Sequence, residues 1–550
     1  MNRHTVSGFA FLAVALAFTL SGCADSPAAA QTGYVKRVNG WTEPGVLRIE
    51  ADTAPDSLNP LLGQVSIDTD LSMFWAGHLF NWNDKGQLVP ELATDVPTHE
   101  NGGISGDGRS ITYHLRQGVR WQDGAPFDAR DVIFTWRAIM DPHNDVPVRA
   151  CYDLIERIDA PDDHTIVVRL HHPYAPFITT FFSMSDTSYS VLPRHLLAGK
   201  HDLNDIAFNR LPIGTGPFRV VFNDGKQVKL VANPDYWRGA PQLREVDFRW
   251  VTSDEEILQH LKQHKIDFYY SAYERQEPDL HVPGTTIYLY PFNSYEDVGF
   301  NTASPVVSDK RVRQALAYAT DRTDIVNSIT NGVNAPADTD QPSFSWAHDD
   351  RAKHYRFDPV AARALLDAAG WRVGPDGVRE KNGRRLRVTL VAEKGISSTG
   401  PMERLIQANW RAVGVETVVK NYAVSALFAS AARGGIEATG RFDAVLEGWV
   451  NGVDPDDSSQ FTCDMKPPAG WNAYAYCNPH VDADERIALS SYDQPTRRAA
   501  YQRIQENLAD DVPVIVLYFA QQQDVVNLDL KNYHPASAVT PFWNTWQLDI

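Results

Sequence analysis

The chain has 550 residues, enough for about two to four domains of roughly 150 residues each. Its hydrophobic (43%) and charged (22%) fractions are those of an ordinary soluble globular protein. With 69 acidic against 51 basic residues the formal net charge is −18, and no basic run offsets it. Nucleic acid and anionic lipid surfaces are therefore poor partners, while cationic ligands are mildly favoured.

Arg3 and His4 precede an apolar run from Phe9 to Leu20, which meets Leu20-Ser21-Gly22-Cys23. A basic start, a short apolar core and small residues before a cleavage point make a secretory signal. The run is too short to span a bilayer comfortably as a permanent helix. The Leu-Ser-Gly-Cys string resembles a bacterial lipobox. That resemblance implies a signal peptide over residues 1–22, cleavage before Cys23 and lipid attachment to its sulfur. The alternative is a structural cysteine behind a plain signal. Residues 23–46, rich in Ala, Ser, Pro, Gly and Gln, read as a flexible tether. Export permits disulfides. Cys463 and Cys477 flank a Pro- and Gly-containing loop, and a disulfide closing it is expected to contribute about 3 kcal/mol in the chain-entropy model. Cys151 is left over, read as a buried free thiol. With no Cys-x-x-Cys or neighbouring His, a metal site from these cysteines is not expected.

In chain order, Val46–Glu50 alternates as a strand and leads into a turn-rich loop at 54–60. Residues 64–80 carry Ile67, Leu71, Phe74, Trp75 and Leu79 at helical spacing. Ile111–Leu115 and Thr165–Leu170 read as strands. Between them a helix runs to Met140 with Asp128 as its N-cap. Ile213-Gly-Thr-Gly-Pro-Phe218 lacks dinucleotide-loop spacing and reads as a hinge or tight turn. Strands recur at 227–232, 245–250, 285–290 and 297–301, with a helix from Asp254. Helices are expected at 310–319, 324–331 and 358–369, the last with Pro359 behind an Asp358 cap. A strand at 386–392, a helix at 401–413 and a strand at 415–420 follow. In residues 442–447, Phe442, Ala444 and Leu446 point one way and Asp443, Val445 and Glu447 the other. This strand feeds Gly448-Trp449 and a turn marked by Asn451-Gly452 and Asp454-Pro455. A helix at 494–510 and a strand at 512–519 close the pattern. Strands alternating with helices predict an α/β protein with largely parallel sheets. Trp449 reads either as core or as the wall of a ligand crevice at a strand end.

Catalytic strings are missing: there is no H-E-x-x-H, P-loop or G-x-S-x-G. His260 and His264 share a helix face but read as exposed surface, and Pro455 argues against a calcium loop at 454–457. The positive signal is aromatic, with 14 Trp, 21 Tyr and 24 Phe. Trp75, Trp82, Tyr295, Trp346, Tyr422, Trp449 and Trp471 sit at element ends, where a few converging on a cleft make an adaptable ligand box.

Several strings together resemble the peptide/nickel family of ABC-transporter extracellular solute-binding proteins. They are Gly86-Gln-Leu-Val-Pro-Glu-Leu-Ala-Thr94, Leu115-Arg-Gln-Gly-Val-Arg-Trp-Gln-Asp-Gly-Ala-Pro-Phe-Asp-Ala-Arg-Asp-Val-Ile-Phe-Thr-Trp136, Leu192-Pro-Arg-His195, Ile213–Phe218, Asn233-Pro-Asp-Tyr-Trp237, Val312-Arg-Gln-Ala-Leu-Ala-Tyr-Ala319, Phe357-Asp-Pro and Leu365-Leu-Asp-Ala-Ala-Gly-Trp371. The match runs from about residue 47 to the end. It implies a periplasmic-binding-protein type II-like α/β fold: two α/β lobes joined by a hinge plus an extra α+β lobe. Lobe I is expected at 47–78, 210–292 and 515–550, lobe II at 79–209 and lobe III at 293–514. The family implies a non-enzymatic monomer without a cofactor. It captures a peptide-like solute between lobes I and III and hands it to a membrane permease. Extended peptides are held in this family mostly through backbone hydrogen bonds.

The resemblance and the element ends together nominate Trp449, Asn451, Asp454 and Tyr422 in lobe III and Asp56, Asn59 and Trp75 in lobe I. Tyr295 near the crossing and Trp471 in the Cys-flanked loop are added. One departure matters. Oligopeptide and dipeptide binders place an Asp three positions after this Trp to pair with the peptide's α-ammonium, whereas here that position is Gly452. Either Asp454 or Asp56 substitutes, or the ligand lacks a free amino terminus. An oligosaccharide, opine or metal chelate is the alternative ligand, and a surface hydrolase the alternative class.

Overall fold

The computed structural model describes residues 37–550 except 64–65, 186–188, 252, 273–276, 396–397, 430, 468 and 538–539. The signal peptide, Cys23 and the tether up to residue 36 lie outside the described residues. Ten strands define the main sheet: Val46–Ala51 (β1), Phe218–Asn223 (β2), Gln227–Ala232 (β3), Glu245–Trp250 (β4), Phe268–Tyr269 (β5), Thr285–Phe300 (β6), Arg387–Glu393 (β7), Glu416–Tyr422 (β8), Ala444–Val450 (β9) and Val514–Asn527 (β10). Their spatial order is β8-β7-β9-β6-β10-β5-β1-β4-β3-β2, with the short Ala335–Pro336 strand beside β10.

The long strands β6 and β10 organise the molecule. They pair antiparallel from Thr285↔Asn527 to Gly299↔Val514, with a break in register between Pro291 and Tyr295. Two short strands, at 285–290 and 297–301, were expected in place of β6. The chain instead bends at the register break and continues. The antiparallel β6/β10 pair and the β2-β3-β4 meander also make the sheet mixed, not largely parallel. Parallel pairing is kept at β1/β4, β1/β5, β7/β8 and β7/β9.

Three bodies of core hang on this frame. On one side of the register break, Leu47, Ile49, Phe74, Trp75, Phe218, Phe248, Phe268 and Phe542 pack together as lobe I. A second core gathers Tyr113, Trp121, Phe127, Ile166 and Phe177 around the three-stranded sheet of Ser110–His114, Ile155–Asp162 and Thr165–Leu170. Helix Ala129–Met140 (α1) covers it, capped by Asp128 with Asp131 completing a capping box. Trp121 donates from Nε1 to Asp131 at 3.1 Å, so the most recognisable string of the sequence is spent on the lobe II core. On the far side of the break, lobe III buries both faces of β7, β9 and β6. One face packs with helices Lys310–Ala319 (α2), Pro359–Ala368 (α3) and Thr399–Arg411 (α4). The other packs with Pro479–Ser490 (α5) and Gln494–Asp511 (α6). Each fully buried large side chain of these cores contributes about 1.5–3 kcal/mol.

Two expected boundaries shift. Ile515, Leu517 and Tyr518 belong to the lobe III core, so β10 enters lobe I only near residue 520 and not at 515. Residues 38–46 are not tether: the Val38 and Asn39 N–H groups and the Thr42 hydroxyl all donate to Asp529, and Trp41 stacks on His264 at 4.6 Å. The expected helix over 64–80 is only Ser66–Ser72. It stops because the 214–216 loop presses on the Trp75 carbonyl, which accepts from Gly216 N–H at 2.9 Å. That loop, read as a hinge or tight turn, is the seam between lobes I and II. The Gln122 amide donates to the carbonyls of Gly216 and Phe218, and its oxygen accepts from Gly214 N–H.

Candidate functional site

β9 begins at Ala444, so Phe442, expected on its α2/α4 face, instead sits before the strand in the α5/α6 core. Ala444 and Leu446 face α2 and α4, while Val445 joins the opposite core. On one side β9 pairs with β6 along its whole length, from Phe300↔Ala444 to Ser294↔Val450. On its other side parallel β7 stops short, the last pair being Ala392↔Leu446. Asn451 N–H donates to Asn293 carbonyl at 2.8 Å, which fixes the alternation of the ladder. Residues 447, 449 and 451 turn their backbone groups to β6. Gly448 and Val450 therefore turn theirs to the side that β7 has left. Both residues are exposed, Val450 to 59%. Among the described residues no strand pairs with this short edge, which makes it a ready template for another extended chain.

Aromatic and acidic side chains flank this edge. Trp449 meets Trp471 edge-on at 6.3 Å, and Trp471 stands 62% exposed in the loop that the Cys463–Cys477 disulfide closes. Tyr295, opposite Trp449, is buried, donates its hydroxyl to Gln460 and packs edge-on to Phe519. Tyr422 is half-buried at the end of β8, paired with Glu393 of β7. Glu296 lies opposite Gly448, and Asp297 opposite Glu447. Burial, reinforced by Glu447 and Glu393, pushes the Glu296 carboxyl up to about 7. Burial does the same to Glu447, up to about 7, against the Tyr474 hydroxyl that donates to it at 2.9 Å. Asp297 is fully buried; burial and the neighbouring Glu447 and Glu296 push its carboxyl well above the usual range. Neither of its oxygens has a hydrogen-bond partner among the described residues.

The structure brings together Trp449, Trp471 and Tyr295, and it ties Asn451 into the turn. The Asn451 side chain donates to the Asp340 carbonyl, and Asn293 clamps the carbonyls of Asn451 and Gly452. Four other nominated residues take different roles or places. Asp454 is held by Arg497, which grips both its oxygens in a buried pair, Nη1 to Oδ2 at 2.9 Å. Asn59 is fully buried and bonds to Asn209 and the Leu61 N–H, a loop-closing role. Trp75 is core in lobe I, 2% exposed. Asp56 lies exposed in the loop after β1, its N–H donating to Asp68. Sequence reasoning missed Glu296 and Asp297; two adjacent acids inside a strand pattern were the available signal. It also missed the buried lobe I carboxyls. Asp524 accepts from Tyr290 at 2.7 Å and Tyr533 at 2.6 Å, and Asp70 accepts from Tyr270. These are satisfied by tyrosine hydroxyls and hold the lobe together.

A cavity of about 600 Å³ opens at the other end of β9, between Asn301, Asp443, Lys420 and Lys466. It lies a strand length, roughly 17 Å, from Trp449. Among the described residues no group of three or more His, Cys, Asp or Glu is arranged to hold a metal ion, and no helix is long and apolar enough to cross a membrane. The turn after β9 reaches the neighbouring lobes. Val453 packs on the lobe I core, and Asp456 accepts from the lobe II Tyr174 hydroxyl at 2.8 Å.

Comparisons with known proteins agree with this architecture. Residues 87–471 match the model for bacterial extracellular solute-binding proteins, family 5. Protein XP55 of Streptomyces lividans is 30% identical over 83% of this chain and 80% of its own. The oligopeptide-binding protein AppA of Bacillus subtilis is 25% identical over 97% of both chains. NikZ from Campylobacter jejuni, solved with Ni(L-His), superposes with a TM-score of 0.75 at 24% identity, covering 92% of this chain and all of that one. That likeness shows the fold, that of the type II periplasmic binding proteins with an additional lobe. With the family model matching residues 87–471, well over half of the chain, the chain belongs to the bacterial extracellular solute-binding proteins of family 5.

Proposed function

We propose that the protein captures a peptide-like solute between lobes I and III and delivers it to an ABC permease in the membrane. The observation that carries this reading is the unpaired edge of β9 at Gly448 and Val450. An extended peptide laid against it gains main-chain hydrogen bonds without any demand on its side chains. Trp449 and Trp471 give the ligand an apolar, sequence-tolerant wall. The register break at Pro291–Tyr295, with β10 opposite, is the place where lobe III swings against lobe I. Relatives named for oligopeptide and di/tripeptide binding support the peptide reading. The protein works without catalysis, as a monomer held to the membrane by a lipid on Cys23 after loss of residues 1–22. Replacing Cys23 with Ser moves the protein from the membrane fraction to the soluble fraction.

The test is Val450→Pro. Proline removes the N–H that points to the open edge, and leaves the β6 ladder intact because Val450 turns away from β6. One lost hydrogen bond of about 1.5 kcal/mol weakens binding roughly tenfold. Calorimetry with tri-alanine is expected to show that loss with an unchanged melting temperature. Undiminished affinity in the variant rejects the edge as the binding site.

A further inference from the structure

We propose that lobe II is the latch of the closed state: when lobe III swings against lobe I, Tyr492 of lobe III plugs into lobe II and Tyr174 of lobe II reaches back to Asp456. This rests on the swing at Pro291–Tyr295 proposed above, and adds the contacts that set how long a captured solute is held.

The contact is a plug in a socket. Tyr492 stands at the corner between α5 and α6 and packs on the lobe II core. Its ring lies over Gly108, where a Cβ would come within 3.0 Å of the ring edge and 3.2 Å of Pro173. His99 meets the same ring edge-on at 5.6 Å. The Tyr492 hydroxyl donates to the Gly108 carbonyl at 3.0 Å and accepts from the Tyr174 N–H at 3.4 Å. Beside it the Ala175 N–H donates to the Leu489 carbonyl at 2.7 Å, and the Tyr174 hydroxyl donates to Asp456 at 2.8 Å.

The lobe III side of this contact is mounted on the ligand edge. Asp456 lies in the turn that leaves β9 at Asn451. Arg497 joins that turn to the α5/α6 corner, pairing with Asp454 and donating from Nε to the Ala488 carbonyl at 2.8 Å. The open edge of β9, Asp456, Leu489 and Tyr492 therefore move as one piece. Lobe II instead moves with lobe I. Gln122 is bonded across their seam, Asn81 donates to the Trp543 carbonyl at 3.3 Å, and Met184 is buried in the lobe I core. A swing of lobe III away from lobe I then has to pull Tyr492 out of its socket. The hydrogen bonds that break are ones that water replaces, as at the polar interfaces between domains that move.

The experiment reads the separation of lobes II and III by pulsed EPR. Spin labels are placed on Lys200→Cys in lobe II and Arg486→Cys in lobe III, both exposed positions, in the Cys23→Ser protein. Cys151 is buried and Cys463 is bonded to Cys477, so the labels go to the introduced thiols. Tri-alanine is expected to shift the distance distribution to its short component. Tyr174→Phe combined with Tyr492→Phe keeps both rings and removes the hydroxyls. It is expected to shift the distribution back to the long component and to speed tri-alanine release about tenfold in stopped flow, with association unchanged. The ligand-free denaturation midpoint is expected to stay that of the parent, because the open state has no latch to lose. A distribution and a release rate unchanged by the double substitution overturn the latch, and the peptide reading stands if tri-alanine still binds. A lowered ligand-free midpoint with unchanged distances shows a permanent contact and also overturns it. If tri-alanine leaves the parent's distances unmoved while the double substitution lengthens them, the peptide reading falls and the latch stands.

Discussion

Asp454→Asn is expected to destabilise the protein by about 3 kcal/mol, measured as a shift in its chemical-denaturation midpoint without any ligand. The substitution keeps the shape of the side chain but leaves the Arg497 charge buried and unpaired. Asp454 and Arg497 are 8% and 9% exposed. Burial works against the Arg497 charge, yet Asp454 and Tyr501 beside it hold the guanidinium above its ordinary range. Arg497 also lies over the Trp346 ring at 5.2 Å, so the pair anchors the 451–457 turn to α6. Replacing both partners, Asp454→Leu with Arg497→Met, is expected to recover most of the loss, because a well-packed apolar pair needs no desolvation of charge. A large loss of ligand affinity with unchanged stability contradicts this assignment and returns Asp454 to the ligand.

The second large effect is expected at the seam of lobes I and II. Gly214→Ala introduces a Cβ only 1.9 Å from the Trp75 carbonyl oxygen. The obstacle is backbone, with no flexible side chain to move aside. Separating the loop also breaks the hydrogen bonds from Gln122 to the carbonyls of Gly216 and Phe218. A loss of about 3 kcal/mol, the upper end for overpacking, is expected in denaturation of the lobe I–lobe II unit. Gly225→Ala is the control. It sits at φ +84 with nothing within 4 Å of its Cβ, so it suffers backbone strain alone and is expected to cost about 1 kcal/mol.

The sequence was most legible where local rules act alone. Asp128 and Asp358 announced helix starts, and both cap helices in the structure. The family strings placed the three-lobed plan, and the pattern at 442–447 found the strand that bears Trp449, though it begins only at Ala444. What stayed hidden was set by distant pairing. No local signal shows that β7 ends two residues before Gly448, so the open edge was invisible. Asp454 read as a ligand group because its partner Arg497 lies 43 positions away. Asn59, in a turn-rich loop, and Trp75, in an expected helix, read as cleft residues because local pattern does not say what distant segments bury them. The segments 285–290 and 297–301 read as separate strands, whereas β10 pairs with both and joins them into β6. The boundary at residue 515 was placed early for the same reason: β10 serves two cores in succession, and nothing in its apolar run marks the change.

The central claim is that the open edge of β9 receives a peptide-like solute. Native mass spectrometry of the gently purified full chain, followed by release and fragmentation of what it carries, tests this most directly. The account predicts a bound ligand that fragments as a short peptide, released intact, and held about tenfold more weakly by Val450→Pro. A saccharide, an opine or a metal chelate in its place, or cleaved products of a supplied peptide, contradicts it.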